Sequence, residues 1–186
     1  MSKKIYKFGL KKSEQEPIER LLCFNHQQSI DIPVKFNLKD KVKQIYDQSD
    51  INACSSCATA SLLSIIDDIS VSRLYLYFCT RWLDNKCILP IEDQGATIKN
   101  VFKSINDYKY ITEDKYPYFT HLVNDIPYKH IFEEAFTNKC PILSYRQIMP
   151  SNHTLKYILY KLHIPILFGM SVYKNFLDLT KENRSE

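Results

Sequence analysis

Between Tyr46 and Asp68 the chain reads YDQSDINACSSCATASLLSIIDD, and no other stretch restricts its possible folds as much. Cys57, Ala58, Leu62, Ile65, Ile66 and Ile69 recur at helical spacing, the pattern of a helix that buries one stripe. The spacing predicts a helix from about Cys54 to Ile69. Asn52 is its expected N-cap, because a short amide side chain can accept from the unpaired N–H groups of a first turn. Cys54 then lies in that turn, where the positive end of the helix dipole favours the nucleophilic thiolate. Gln48, six residues earlier, can offer an amide N–H beside the Cys54 backbone N–H, and the pair would stabilise a developing oxyanion.

The chain has 186 residues, 45% of them hydrophobic, enough for one domain or two small lobes around a core. Its 25 basic and 21 acidic residues are interspersed, so no nucleic-acid partner is expected. Lys3, Lys4, Lys7, Lys11 and Lys12 make a basic start that reads as a solvated leader. No segment reaches the ~20 apolar residues that cross a bilayer, and residues 1–30 lack a signal-peptide pattern. A soluble cytoplasmic protein with no membrane association is expected, and its six cysteines should be thiols.

Residues 1–30 read as an irregular leader or prosegment-like arm and residues 31–186 as the domain. Pro33 and the alternation of Val34, Phe36 and Leu38 predict extended chain over 31–47. Helices are expected over Ser72–Leu83, capped by Ser72, near Thr97–Asn106, over 129–138, and over Ser151–Leu162, capped by Ser151. Between them, 84–94 is a loop and 107–128, rich in Tyr and Pro, wraps a surface. Strands are expected over Ile142–Ile148 and, as a run buried on both faces, over Ile164–Tyr173.

Cys54 and Cys57 are half of a zinc site at most, and no second close-spaced pair occurs among the other cysteines, so no metal or cofactor is expected. His153 and His163 read as surface positions. Asp67 and Asp68 read as an exposed helix end, and Asp93 as a loop residue.

With Gln48 and Cys54 so spaced, the sequence resembles the papain-like cysteine peptidase family, in which a Gln precedes the nucleophilic Cys by six residues. The resemblance continues in order through Ile32-Pro33, Phe36 to Lys39, Ile45 to Gln48, Ser72 to Arg81, Asp93 to Val101, Tyr116 to Tyr118, and Ile164 to Phe176. It implies an α+β papain-like fold, mainly the helical lobe with an incomplete β lobe. It also implies peptide-bond hydrolysis by a Cys thiolate on a peptide or protein substrate, with Cys54 as nucleophile and Gln48 as oxyanion donor. CSSCATAS offers a second alignment in which Cys57 is the nucleophile, but Gln48 then stands nine residues ahead. The family's general base, a His in Gly-His-Ala, and the Asn of Asn-Ser-Trp are missing. The three glycines, against roughly a dozen at the average usage of ~7%, agree with an absent β half. The expected protein is therefore an incomplete or inactive peptidase, or a catalytically inactive binding or structural subunit. Its apolar run at Ile164–Tyr173 calls for a homodimer or a second subunit that completes the β lobe.

Overall fold

A helix with no solvent face over most of its length stands at the centre of the computed structural model, which describes residues 7–13, 31–139 and 144–173. This helix, α2 (Arg73–Asp84), is buried from Arg73 to Arg81. Ser72 caps it as expected, its hydroxyl accepting from the Tyr75 N–H at 3.2 Å. Three groups of neighbours surround it. Tyr75 and Phe78 pack with Ile91, Ile111 and Ile131; Leu74 and Tyr77 with Ile51, Cys57 and Ala96; Leu76 with Leu63, Val101 and Ile105.

Those neighbours come from α1 (Cys54–Asp67), α3 (Ile98–Tyr108), α4 (Lys129–Thr137) and the segments between them. A last helix, α5 (Asn152–Tyr157), is capped by Ser151, which accepts from Thr154 N–H at 3.1 Å, and continues as a π-helical turn over Ile158–Leu162. The sheet among the described residues has two short parallel strands, β1 (Leu10–Lys11) and β2 (Ala96–Thr97), with Leu10 opposite Ala96 and Lys11 opposite Thr97.

Helix α1 is shorter than expected and buries a different stripe. Ser55, Ser56, Cys57, Thr59, Ala60 and Leu63 are buried, while Ala58 and Ile66 face solvent. Small residues let α1 lie close to α2, and the Thr59 hydroxyl is satisfied by the Ser55 carbonyl at 2.9 Å within the helix. A pattern based on apolarity counts these hydroxyls as surface. Residues 31–47 carry no strand; Lys39–Lys41 forms a 3-10 turn and Val34 is 99% exposed. Of the strand expected over 142–148, residues 144–147 are irregular, Ile148 makes an isolated bridge, and 142–143 lie outside the described residues.

The run Ile164–Tyr173 is likewise irregular rather than a strand, with Phe168 and Tyr173 each 72% exposed. A strand needs neighbours for its backbone donors and acceptors, and here the segment instead lays Gly169 against Leu10 and Ile98. Leu162, at the end of the π-helical turn, is exposed. No described helix is long and apolar enough to cross a membrane.

Candidate active site

Gln48 projects from a turn whose shape its own amide maintains. Ser49 takes a positive φ of 56°, the Asp47 carboxylate accepts the Ser49 N–H at 2.8 Å, and Gln48 Nε2 donates to the Ile51 carbonyl at 3.0 Å. Gln48 Nε2 also donates to the Lys7 carbonyl at 2.9 Å, so the amide already holds a peptide oxygen. Cys54 opens α1, half-buried, and the backbone of Gly9 hydrogen-bonds its thiol. The structure thus brings both expected site residues onto one extended segment of the N-terminal arm.

The arm lies in a groove and is held along its length. The Gly9 carbonyl accepts the Ala96 N–H at 2.8 Å, ahead of the β1–β2 pairing, and Lys7 Nζ stands 3.3 Å from Asp93. This arm was expected to be a solvated leader; Leu10–Lys11 instead form a strand of the sheet with Gly9 buried ahead of it, and 14–30 lie outside the described residues.

Asn52 does not cap α1. Ala53 takes the cap position without a side-chain bond, because Asn52 is drawn to Asp93: its backbone N–H donates to Asp93 Oδ1 at 2.9 Å and its side-chain amide to the Asp93 carbonyl at 2.8 Å. Asp93 also accepts from the Tyr77 hydroxyl at 2.7 Å, and that hydroxyl accepts the Gly95 N–H at 2.9 Å. Sequence reasoning passed over Asp93 as a loop residue. Its partners lie far away in the chain, and no local spacing signals them.

A second network fixes the turn that carries Gln48. Arg73 NH1 donates to the Asp47 carbonyl at 3.1 Å, and Tyr118 OH donates to the Gln48 carbonyl at 3.0 Å. The Arg73 guanidinium lies 3.9 Å from the centre of the Tyr118 ring and 4.6 Å from that of Tyr46. Glu113 accepts from Arg73 NH2 at 2.8 Å and from the Arg73 backbone N–H at 2.9 Å. Burial alone would lower the Arg73 pKa, and the Glu113 carboxylate more than offsets it.

The electrostatics of Cys54 run against the helix-dipole expectation. Burial raises its pKa, outweighing the backbone hydrogen bonds from Gly9, Ser55 and Cys54 itself. Cys57 is buried behind Cys54, donates to Tyr118 OH at 3.8 Å, and is pushed up to about 11, chiefly by burial. Cys79 is raised by burial as well, and Cys87 is an exposed thiol. Cys23 and Cys140 lie outside the described residues.

Among the described residues, no histidine acts on the Cys54 thiol. His163 ends the π turn with a φ of 53° and lies 5.4 Å from the Phe36 ring, while His153 sits half-buried in the first turn of α5.

Neither a protein-family model nor a curated protein sequence matches this chain. A solved structure does: xylellain, a cysteine protease from Xylella fastidiosa, superposes with a TM-score of 0.68 at 21% identity over 82% of this chain. The fold is papain-like. Its mostly helical part, with a small two-stranded sheet, is what this chain displays. The match spans 62% of the xylellain chain. A likeness at this identity concerns the fold and leaves the chemistry to the groove's own residues.

Proposed function

We propose that the groove at Cys54 is the substrate cleft of a papain-like cysteine peptidase, incomplete or inactive as the chain stands. One observation carries the reading: the Gln48 amide and the Cys54 thiol meet the same extended backbone, the first at the Lys7 carbonyl and the second at Gly9. A donor that holds a peptide carbonyl, and a thiol two residues further along the same backbone, are two of the parts acyl transfer needs. In that reaction the Cys54 thiolate bonds to the carbonyl carbon and the oxyanion forms towards Gln48 Nε2 and the Cys54 N–H. The amine then leaves with a proton from a general acid, and water hydrolyses the thioester. Cys54 and Gln48 supply the first half. The proton carrier would be a histidine brought in with the rest of the β lobe.

The raised pKa of Cys54 favours a second reading, a papain-like binding subunit without catalysis, because a thiol pushed above its ordinary value, with no histidine among the described residues acting on it, is a poor nucleophile. A broad fluorogenic peptide panel, with Cys54→Ala as control, tests the two. No turnover above the control is expected of the chain alone. Cys54-dependent turnover that is lost in His153→Ala or His163→Ala would overturn the inactive reading.

A further inference from the structure

We infer that the Cys54 groove is selective for glycine: it takes extended peptides that set a glycine against Asn52, with an aliphatic residue after it and a lysine two places before it. Lys7-Phe8-Gly9-Leu10 is its resident ligand. The inference rests on reading the groove as a peptide cleft and adds what the cleft recognises.

Gly9 is buried, and a Cβ in its place would collide with the Asn52 carbonyl oxygen and stand 2.5 Å from the Asn52 Cβ. Backbone cannot swing aside as the end of a long side chain can. Asn52 is fixed further by its hydrogen bonds to Asp93, which Tyr77 holds in turn. The opposite wall is also a glycine: Gly95 has a φ of 81°, and a Cβ there would strike the Gly9 carbonyl. Next along the arm, Leu10 meets Gly169, where an added Cβ would run into the leucine side chain. Glycine occurs only three times in the whole sequence, and all three stand where the arm seats.

The flanking contacts give the motif its direction and ends. The arm runs parallel to β2, the Lys7 ammonium pairs with Asp93, and the Lys7 carbonyl takes the Gln48 amide. Phe8 points outward with its ring exposed, so its position is not read. A peptide of the right sequence can make every one of these contacts in trans once the arm is loosened.

The test uses the full chain carrying Lys7→Glu, which replaces an attraction to Asp93 by a repulsion at a solvent-exposed site. The readout is the rate of Cys54 alkylation by iodoacetamide, mapped by mass. The competitor is a capped octapeptide with the sequence of residues 6–13, beside versions with alanine at the glycine or at the phenylalanine. The parent peptide should half-protect Cys54 at a concentration at least about tenfold below that of the glycine-to-alanine peptide, since forced overpacking costs this much or more. The phenylalanine-to-alanine peptide should match the parent. Equal protection by the glycine and alanine peptides would overturn the selectivity and leave the peptide cleft standing; protection by neither would overturn both. In cis, Gly9→Ala should raise the Cys54 alkylation rate at least about tenfold while Cys57 stays protected, which separates release of the arm from unfolding. An unchanged Cys54 rate in that variant would also overturn the inference.

Discussion

Replacing Glu113 by alanine should cost this protein about 3 kcal/mol, the low end of the range for stripping one partner from a buried ion pair. The side chains of Arg73 and Glu113 are 11% and 19% exposed, so the pair is largely out of solvent. Glu113 gives Arg73 two short contacts, at 2.8 Å and 2.9 Å, and two longer ones to Nε at 3.3 Å and 3.4 Å. Charge-assisted bonds contribute about 1.5–3 kcal/mol each, but Arg73 keeps the Asp47 carbonyl and both tyrosine rings, which limits the loss. Glu113→Gln retains an acceptor for the Arg73 N–H groups and should cost roughly half as much. Trp82, the single tryptophan, packs against the core cluster of Tyr75 and Phe78 and reports unfolding by its fluorescence. Urea titrations should show the alanine variant with a lower midpoint and an unchanged slope, and a thermal midpoint about 6–12 °C lower. A loss under about 1 kcal/mol would mean that the pair behaves like a surface ion pair and that the guanidinium is held by its rings.

Limiting alkylation followed by mass mapping should find, among the four described thiols, Cys87 labelled first, Cys54 next and Cys57 and Cys79 last, because the arm and burial hold Cys54 back. Cys54 labelling ahead of Cys87 would contradict that protection. Stability should be complete below pH 9, the ordinary value for Cys57 in an unfolded chain, and fall as pH rises towards about 11, its value in the fold. The folded state holds the proton more tightly across that window, so Cys57→Ser should flatten the decline in urea midpoints. Tyr118→Phe keeps the ring over Arg73 but loses the bond to the Gln48 carbonyl, and should cost about 1 kcal/mol by the same titration. Phe168, Met170 and Tyr173 expose a row of apolar side chains, and light scattering should find a dimer at high concentration.

Elements governed by local chemistry were legible in the amino-acid sequence. Ser72 and Ser151 cap the helices they were expected to cap, and Ile131 and Ala135 mark the inner face of α4. Errors arose where a distant partner outbid a local one. Asn52 has the side chain of an N-cap, but Asp93, 41 positions away, takes both its amide and its backbone N–H. Ile164–Tyr173 has the apolarity of a buried strand, but that state depends on neighbouring strands rather than on the run itself. At the site, the charge state expected of Cys54 was not legible, because the dipole is local whereas desolvation depends on everything packed around the thiol.

The groove's two walls share a root that no apolar pattern reveals. Arg73, Tyr77 and Arg81 recur at four-residue intervals and so stand in one row along α2, inside the protein. Arg73 grips the carbonyl of Asp47 and so fixes the turn that carries Gln48. Tyr77 binds Asp93 and Gly95, and through them Asn52 and the seat of Gly9. Arg81, 2% exposed, lies over the Tyr77 ring at 4.1 Å and donates to the Val123 carbonyl and to Asn124 at 3.3 Å, holding the loop after Tyr118. Burial lowers the Arg81 pKa, and its hydrogen bonds go to neutral oxygens, so this charge is kept inside at a cost. Apolar residues in these three positions would still fill α2's surroundings, but would leave the carbonyls of residues 47 and 123 and the Asp93 carboxylate without these donors. The row therefore acts less on the stability of α2 than on where three loops lie, and two of those loops are the walls between which Gln48 and Cys54 face the bound arm.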